Sequence, residues 1–481
     1  MIRFLLNEQA YELEHIAPEL TVLEWLRTNM TQRGTKEGCA SGDCGACTVV
    51  IAEPNPDRSG QLSYRAINSC ITFVASLHGK QLITVEHLAV NGQLHPVQQA
   101  MVEHHGSQCG FCTPGFVMSL FALFHQRATP DREQILRALG GNLCRCTGYR
   151  PIVDAALALA NHSWRDAFSL RERETYAQLI QISSESIPSL QQDNRYFFLP
   201  RNVAELTTLQ RQYPEAQLVA GSSDLALAVT QQLQQPEILI STTQVKELHR
   251  LIVNEQGLEI GAAVTLTELI PIFTEHLPEC AQLLERFAAT QVRNQATLAG
   301  NIANASPIGD MPPVLLALGA HLTIRNQNQR QSMPLDDFFL GYKQTSLPQG
   351  ALIESIQIPL PRDDIRRVYK VSKRFDDDIS AVCGAFCLTL DKGCVQSLRI
   401  AFGGMAAIPA RAHHCEQILR GNKLDEALIE QAARALSQDY TPMDDLRASA
   451  QYRLSVAQNL LRKALYYALE PTRPLEIQDY A

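Results

Sequence analysis

Cysteine placement constrains this chain more than any other feature. Eight of the thirteen cysteines fall before residue 147, in two groups: Cys39, Cys44, Cys47 and Cys70, then Cys109, Cys112, Cys144 and Cys146. Whatever the fold is, it must bring these thiols together. The N-terminal "MIRFLLNEQAYELEH" is apolar for too few residues to act as a signal segment, and Glu8 interrupts it. No apolar run reaches the ~18 residues of a membrane span. The expected setting is therefore cytoplasmic and reducing, where grouped thiols read as metal ligands and not as disulfide halves. Cys280, Cys383, Cys387, Cys394 and Cys415 are dispersed. Cys383 and Cys387 lie in the strand-like "AVCGAFCLTL", where Cys acts as a small hydrophobe. With 481 residues, 45% hydrophobic and 19% charged, the chain has core material for three or four domains. A net charge of -8, with no long basic run, argues against a nucleic-acid partner.

The first group reads C-x4-C-x2-C-x22-C, the spacing that holds a two-iron two-sulfur (2Fe-2S) cluster in plant-type ferredoxins. "CASGDCGAC" packs three cysteines and five small residues into nine positions. A loop wrapped around a cluster must bring its backbone close and turn N–H groups toward sulfur. Gly38, Gly42 and Gly45 permit those dihedrals without a Cβ clash, and such N–H···S contacts tune the cluster potential. Four cysteines also serve structural zinc, usually as paired C-x2-C knuckles; the four-residue first gap and the glycines favour iron–sulfur. "MIRFLLN" and "CTVVIAE" read as strands and "TVLEWLRTNM" as the helix between them, a β-grasp outline.

The second group reads C-x2-C-x31-C-x1-C, in "QCGFCTPG" and "NLCRCTGYRP". Between the pairs, "FVMSLFALFHQR" has helical periodicity, Pro130 stands near the next helix start, and "REQILRALGGN" ends on glycines. Each pair is thus expected at a helix end in an α-helical domain.

These motifs, in this order, resemble the iron–sulfur portion of the molybdenum hydroxylases. The resemblance implies two 2Fe-2S clusters in series, the second nearer a molybdenum site. It implies that Gln108, in "QCGFCTPG", contacts the pterin of the molybdenum cofactor, and that Cys144 lies on the electron path to it.

Polar residues 161 to 194 lack a sustained pattern and read as a linker. Beyond them "RYFFLPRNVAELTTL" reads as a strand, a proline and a helix opening, and "AQLVAGSSDLAL" runs an apolar strand into Gly221-Ser222-Ser223. Consecutive backbone N–H groups in such a turn can hold phosphate oxygens, although many strand ends carry Gly-Ser. "FAATQVRNQATLAGNIANASPIGDMPPVLLAL" gathers Gly300, Asn301, Asn304, Ser306 and Asp310 into one loop, a density of short amides and hydroxyls suited to a polar ligand. The pattern is similar to the flavin-binding domain of the same family. That likeness implies that Leu218, Val219, Ala220, Gly221, Ser222, Ser223, Asp224 and Leu225 form a first FAD diphosphate segment. Thr297, Leu298, Ala299, Gly300 and Asn301 form the second, followed by Asn304 and Asp310. Phe287 is implied beside the isoalloxazine ring, and Asp224 stands where some relatives have glutamate. "VYKVSKRFDDDISAV" matches the stretch where a nicotinamide nucleotide docks; Lys373 and Arg374 there read either as phosphate contacts or as a solvated charge run. "YRLSVAQNLLRKAL" reads as an amphipathic helix anchored by Leu454, Leu460, Leu461 and Leu465.

The expected architecture is an α+β multidomain chain: a β-grasp plant-type ferredoxin domain (1–78), an α-helical 2Fe-2S domain (79–160), the linker (161–194), an α+β FAD-binding domain of the vanillyl-alcohol-oxidase/PCMH type (195–365) and a C-terminal α+β flavoprotein domain (366–481). The family's molybdenum-binding domain finds no counterpart in these residues and is expected on a partner large subunit, in a heterotetramer or larger assembly. Fused iron–sulfur and flavin parts look like the small subunit of the family's bacterial xanthine-oxidising members. The resemblance then implies that the partner oxidises hypoxanthine or xanthine to urate. Single electrons would pass through the second cluster, the first cluster and FAD to NAD, flavin converting one-electron to hydride transfer. The alternative is service to an aldehyde or another N-heterocycle dehydrogenase. No substrate base is expected in this chain.

Overall fold

The computed structural model describes residues 1–127, 129–160, 165–182, 187–360 and 364–472. The chain divides into two compact units, Met1–Lys246 with Ala288–Ala296, and Glu247–Phe287 with Thr297–Ala481.

The first unit begins with a five-stranded sheet of β1 (Ile2–Leu6), β2 (Gln9–Leu13), β3 (Thr48–Pro54), β4 (Leu62–Asn68) and β5 (Gln81–Ile83). Its order is β2-β1-β5-β3-β4, with β1 and β5 parallel, the β-grasp expected from the sequence. The helix anticipated in "TVLEWLRTNM" is only one α turn, α1 (Val22–Glu24), capped by Thr21 and continued by a wider π turn, Trp25–Asn29. Trp25 and Leu26 are both buried by this arrangement, and Trp25 sets its edge against Phe4 at 5.2 Å. Truncating so large a core side chain costs about 3–5 kcal/mol.

The helical domain follows, with α2 (Pro96–Glu103), α3 (Thr113–Gln126), α4 (Arg132–Leu139) and α5 (Arg150–Ala160). Every residue of α3 from Gly115 to Phe124 is buried, so this helix is the domain's axis. Capping boxes at His95 and Asp131 start α2 and α4. The buried Asp166 carboxylate meets His95 at 3.0 Å and His125 at 2.8 Å. Burial pushes its pKa up, but the hydrogen bonds to His125 and His95 outweigh that and hold it well below the usual range.

The polar stretch read as a linker is not structureless. It contains the sixteen-residue α6 (Ala167–Ile182), whose Phe168 and Leu179 are buried in the helical-domain core. The run Arg171-Glu172-Arg173-Glu174 hides the apolar stripe, because only two positions of the helix are buried. Residues 161–164 and 183–186 of that stretch lie outside the described residues.

A second sheet, β6-β7-β9-β8, combines β6 (Ser189–Gln192), β7 (Arg195–Phe198), β8 (Gln217–Val219) and β9 (Ile238–Ser241) with α7 (Val203–Gln212) and α8 (Leu225–Thr230). Its Leu190, Phe197, Leu199, Val219, Ala226 and Leu239 share one core with the β-grasp sheet. The segment 288–296, with a single helical turn at Thr290–Arg293, completes this unit.

The second unit holds an antiparallel sheet of order β10-β11-β16-β12-β13. Its strands are β10 (Leu251–Asn254), β11 (Gly257–Gly261), β12 (His321–Asn326), β13 (Gln329–Pro334) and β16 (Ala351–Ile358), with the ribbon β14 (Phe339–Gly341) and β15 (Gln344–Thr345) between. Helices α9 (Leu266–His276), α10 (Pro278–Glu285), α11 (Leu298–Ala303) and the fully buried α12 (Met311–Leu318) accompany it. The unit ends with the sheet β17 (Ile365–Val371), β18 (Val382–Asp391), β19 (Cys394–Gly403) and β20 (Ala410–Arg411), and with α13 (His413–Leu419), α14 (Glu426–Asp439) and α15 (Ala450–Leu469). The inward face of α15 is lined more by Ala457, Ala464 and Ala468 than by leucine; Leu461 and Leu465 are buried, Leu454 and Leu460 only partly. Arg453 is also buried there, its charge met by Asp445 Oδ1 at 2.6 Å and the carbonyls of Ala381 and Gly404. Cys280, Cys383, Cys387 and Cys415 are buried and Cys394 half-buried, as packing residues; burial pushes the Cys280 thiol up to about 12.

Candidate functional site

Cys39, Cys44 and Cys47 lie on the loop entering β3, and Cys70 follows β4, so the sheet itself delivers the fourth thiol. Cys47 and Cys70 are buried with sulfurs 3.3 Å apart. The Ser41 and Cys44 amides both donate to Cys39 Sγ at 3.4 Å, the N–H···S contacts anticipated for this loop. Its glycines are required, beginning with those nearest the sulfurs. Gly42 has φ +85° with Ile71 2.6 Å from where a Cβ would stand, and a Cβ on Gly38 would fall 2.7 Å from Cys44 Sγ. Hydrogen bonds from the Cys44 and Cys70 thiols hold the Cys39 and Cys47 pKa values low, while their own are raised. A metal that takes all four as thiolates displaces those protons. Among the described residues no three His, Cys, Asp or Glu side chains are grouped to hold a single metal ion. The four thiols form one hydrogen-bonded chain, Cys44 to Cys39 to Cys70 to Cys47, and a 2Fe-2S cluster takes four cysteine thiolates. The donor set and the glycine cradle therefore fit a 2Fe-2S cluster.

The second group gathers at three helix boundaries: Cys112 opens α3, Cys144 follows α4, and Cys146 precedes α5. Cys109 pairs with Cys146 and Cys112 with Cys144 through thiol hydrogen bonds. Burial first, then the Cys144 contact, pushes Cys112 up to about 12. At Cys144, hydrogen bonds from the Thr147 hydroxyl and amide outweigh burial and lower the pKa. Cys109 and Cys146 are exposed, as are Gln108, Phe111, Leu143 and Tyr149 around them. Gly110 and Gly148 have positive φ with open space where a Cβ would be. This donor set also fits a 2Fe-2S cluster, at the surface of the helical domain.

The residues singled out for FAD fall in both units. Leu218 to Leu225 span the end of β8, the turn and the start of α8, in the first. A Cβ on Gly221 would lie 2.1 Å from the Gln295 carbonyl, so only glycine passes here. Ser222 is in the left-handed region at φ 56° and donates its hydroxyl to the Ile71 carbonyl at 2.6 Å, one residue from Cys70. Phe287, Thr297 to Asn301, Asn304, Asp310 and Lys373 belong to the second unit. Thr297 caps α11, accepting from the Gly300 amide at 2.9 Å. Asn301 Oδ1 is buried with no hydrogen-bond partner among the described residues, an acceptor that a polar ligand can satisfy. Asp310 is engaged internally: Lys370 Nζ donates to it at 2.6 Å and the Ser380 hydroxyl at 2.5 Å. Lys373 is exposed and donates to the Leu446 carbonyl at 2.9 Å, and Arg374 folds back on Asp378. Within the second unit the Asn301 oxygen is an acceptor suited to a flavin nucleotide, and within the first the Gly221 turn admits backbone but no side chain.

Sequence reasoning passed over three residues near the clusters. Gln231, from the end of α8, donates to the Cys39 and Ala40 carbonyls at 3.3 and 2.9 Å. Asn142 and Gln291 meet in the interior between the two cysteine groups. No spacing rule marks a glutamine as such a contact; the only signal was the polar run "QVRNQ" before Ala296.

Four families match successive parts of the chain: the 2Fe-2S iron-sulfur cluster binding domain (4–75), the [2Fe-2S] binding domain (84–157), the FAD binding domain in molybdopterin dehydrogenase (189–361) and the CO dehydrogenase flavoprotein C-terminal domain (367–468). Xanthine dehydrogenase of Emericella nidulans is 34% identical over 91% of this chain and 36% of its own length. Xanthine dehydrogenase 1 of Arabidopsis thaliana is 32% identical over 89% and 36%. The chain thus spans about a third of the length of these relatives. Among solved structures, a carbon monoxide dehydrogenase chain from Hydrogenophaga pseudoflava aligns with TM-score 0.55 and 28% identity, over 59% of this chain and 99% of that one. A chain of quinoline 2-oxidoreductase from Pseudomonas putida aligns with TM-score 0.53 and 25% identity, over 60% and 99%. Two four-cysteine sites and a glycine-dependent turn, in domains matched in this order, make the chain a carrier of two 2Fe-2S binding domains followed by the FAD binding domain in molybdopterin dehydrogenase.

Proposed function

We propose that the chain is the iron–sulfur/FAD subunit of a xanthine dehydrogenase, carrying electrons away from a molybdenum centre on a partner large subunit. In this reading the partner oxidises hypoxanthine or xanthine to urate in the cytoplasm, and NAD is the final acceptor. The observation that carries it is the sequence of environments in the first unit. Cys109 and Cys146 are exposed at one site, Cys47 and Cys70 are buried at the other, and Ser222 of the first FAD segment bonds beside Cys70. The bound clusters and flavin supply one-electron steps and their conversion to hydride transfer. The chain's own residues position them. Phe111, Leu143 and Tyr149 offer the partner an apolar face beside the exposed thiols, with Gln108 toward the pterin. Lys373 and Arg374 are exposed where a nucleotide phosphate would approach. The purine assignment is supported by relatives named xanthine dehydrogenase at 30–34% identity.

An N-heterocycle or aldehyde substrate is the second reading, and the likeness to a chain of quinoline 2-oxidoreductase favours it. Purification of the native complex and assay with NAD separates the two. Xanthine-dependent NADH formation is expected; vigorous turnover of aldehydes or quinoline with none on xanthine would overturn the purine assignment.

A further inference from the structure

The two cysteine sites are joined by a direct backbone contact. The Leu143 amide donates to the Cys44 carbonyl at 3.0 Å, and Leu143 adjoins Cys144. Three glycines make the approach possible. A Cβ on Gly45 would stand 2.2 Å from the Gly141 carbonyl, one on Gly115 2.3 Å from the Gly45 carbonyl, and one on Gly141 2.3 Å from Gln291 Oε1. Gln291, fully buried, enters from the segment 288–296. Its Nε2 donates to Thr48 Oγ1 at 3.4 Å, Ser119 Oγ at 3.1 Å and Asn142 Oδ1 at 3.1 Å. Asn142 Nδ2 in turn donates to the Gly45 carbonyl at 3.1 Å and Thr48 Oγ1 at 3.2 Å. One side chain thereby ties the residue after Cys47 to the helix that starts at Cys112 and to the loop that carries Cys144. Gln291 Oε1 has no hydrogen-bond partner among the described residues. An apolar side chain of equal size would avoid that orphaned oxygen, so burial energy alone does not account for the amide.

We propose that the Leu143–Cys44 hydrogen bond is the link through which the two clusters exchange an electron, and that Gln291 is the positioning residue that sets its length. The proposal rests on the relay reading above. One electron leaves the cluster held by Cys109, Cys112, Cys144 and Cys146 and enters the cluster held by Cys39, Cys44, Cys47 and Cys70. The donor is oxidised by one, the acceptor reduced by one, and no proton moves because every ligand stays a thiolate. The path runs from Cys144 through the Leu143 peptide and the hydrogen bond to the Cys44 carbonyl and sulfur.

Gln291→Met in the full, iron-replete chain keeps length and bulk and removes the amide. Both paramagnetic signals should persist with unchanged iron content. Their mutual spin–spin splitting in the fully reduced protein should weaken, and electron transfer between the clusters should slow about tenfold to a hundredfold, as for other outer-sphere partners of metal sites. Hydrogen exchange at the Leu143 amide should quicken, a readout independent of activity. Ser119→Ala, which removes a single partner, should move all three in the same direction by less, and it decides alone if Gln291→Met is not recovered folded. Unchanged splitting, rate and exchange in an iron-replete variant would overturn the proposal. Fewer than two iron signals in the unmutated protein would instead overturn the relay itself.

Discussion

The two cysteine sites use the same four-thiol chemistry in opposite surroundings. At the first, a strand-bounded loop is pressed against Ile71, Asn68 and Gln231, two of its thiols are buried, and amides point at sulfur. At the second, helix ends present the thiols outward, and two of the four are exposed. Hydrogen bonds to sulfur and solvent exposure both set cluster potential, so identical ligands yield two different stations. The difference teaches that the first site is built for retention within the chain, whereas the second is built for access from outside it.

The largest test of that contrast removes one thiol from each. Cys47→Ala should halve iron and acid-labile sulfide and abolish the first paramagnetic signal, and substrate should no longer reduce FAD. Cys146→Ala should lose only the second signal and leave the first cluster reducible from the flavin side by NADH. Collapse of both signals in Cys146→Ala would break the independence of the sites. Chelation sharpens the same contrast: with excess iron chelator the second cluster should bleach about tenfold faster than the first, because its ligands need no local opening to reach solvent. Equal bleaching rates, followed by visible absorbance, would deny that burial protects the first site.

Glycine substitutions extend the comparison to stability. Gly45→Ala combines φ +67° with a 2.2 Å clash on the Gly141 carbonyl and should cost about 3 kcal/mol or more. Gly110→Ala, at φ +82° in open space, should cost only about 1–2 kcal/mol. Scanning calorimetry of the two should show the larger fall in Tm for Gly45→Ala. The last effect is in acid. Burial lowers the His78 pKa from 6.5 to about 4, aided by the N-terminal ammonium and Arg3, and its Nδ1 accepts the Arg3 amide at 3.0 Å. The unfolded chain then binds the extra proton between these values. The His78 contribution, about 3 kcal/mol, is complete above pH 6.5 and lost as pH falls toward 4. His78→Gln should flatten the first domain's stability over that window; an unchanged slope would show that His78 is not its source.

Much of this was legible in the sequence because thiol spacing is local. C-x4-C-x2-C with its glycines encodes a loop, and "MIRFLLN" and "CTVVIAE" encode the strands that hold it. The helix α6 was illegible because charged residues cover it on nearly every face. The π turn after α1 could not be read from "TVLEWLRTNM", whose periodicity is that of any helix. The roles of Gln231, Asn142 and Gln291 depend on which distant carbonyls stand within reach, and no pattern along the chain records that. The hydrogen bonds from Lys370 and Ser380 to the Asp310 carboxylate were likewise beyond the reach of any local pattern.

The segment 288–296 also bears on biogenesis. Asn294 donates to the Ala66 carbonyl at 2.8 Å and Gln295 accepts from Thr72 at 2.9 Å, so the iron–sulfur half finishes folding only once residues far downstream of Cys146 leave the ribosome. At about 5–20 residues per second, the stretch from Cys146 to Gln295 takes on the order of ten seconds to emerge. Cutting the gene after residue 246 would leave the Ala66 carbonyl and the Thr72 hydroxyl without these partners.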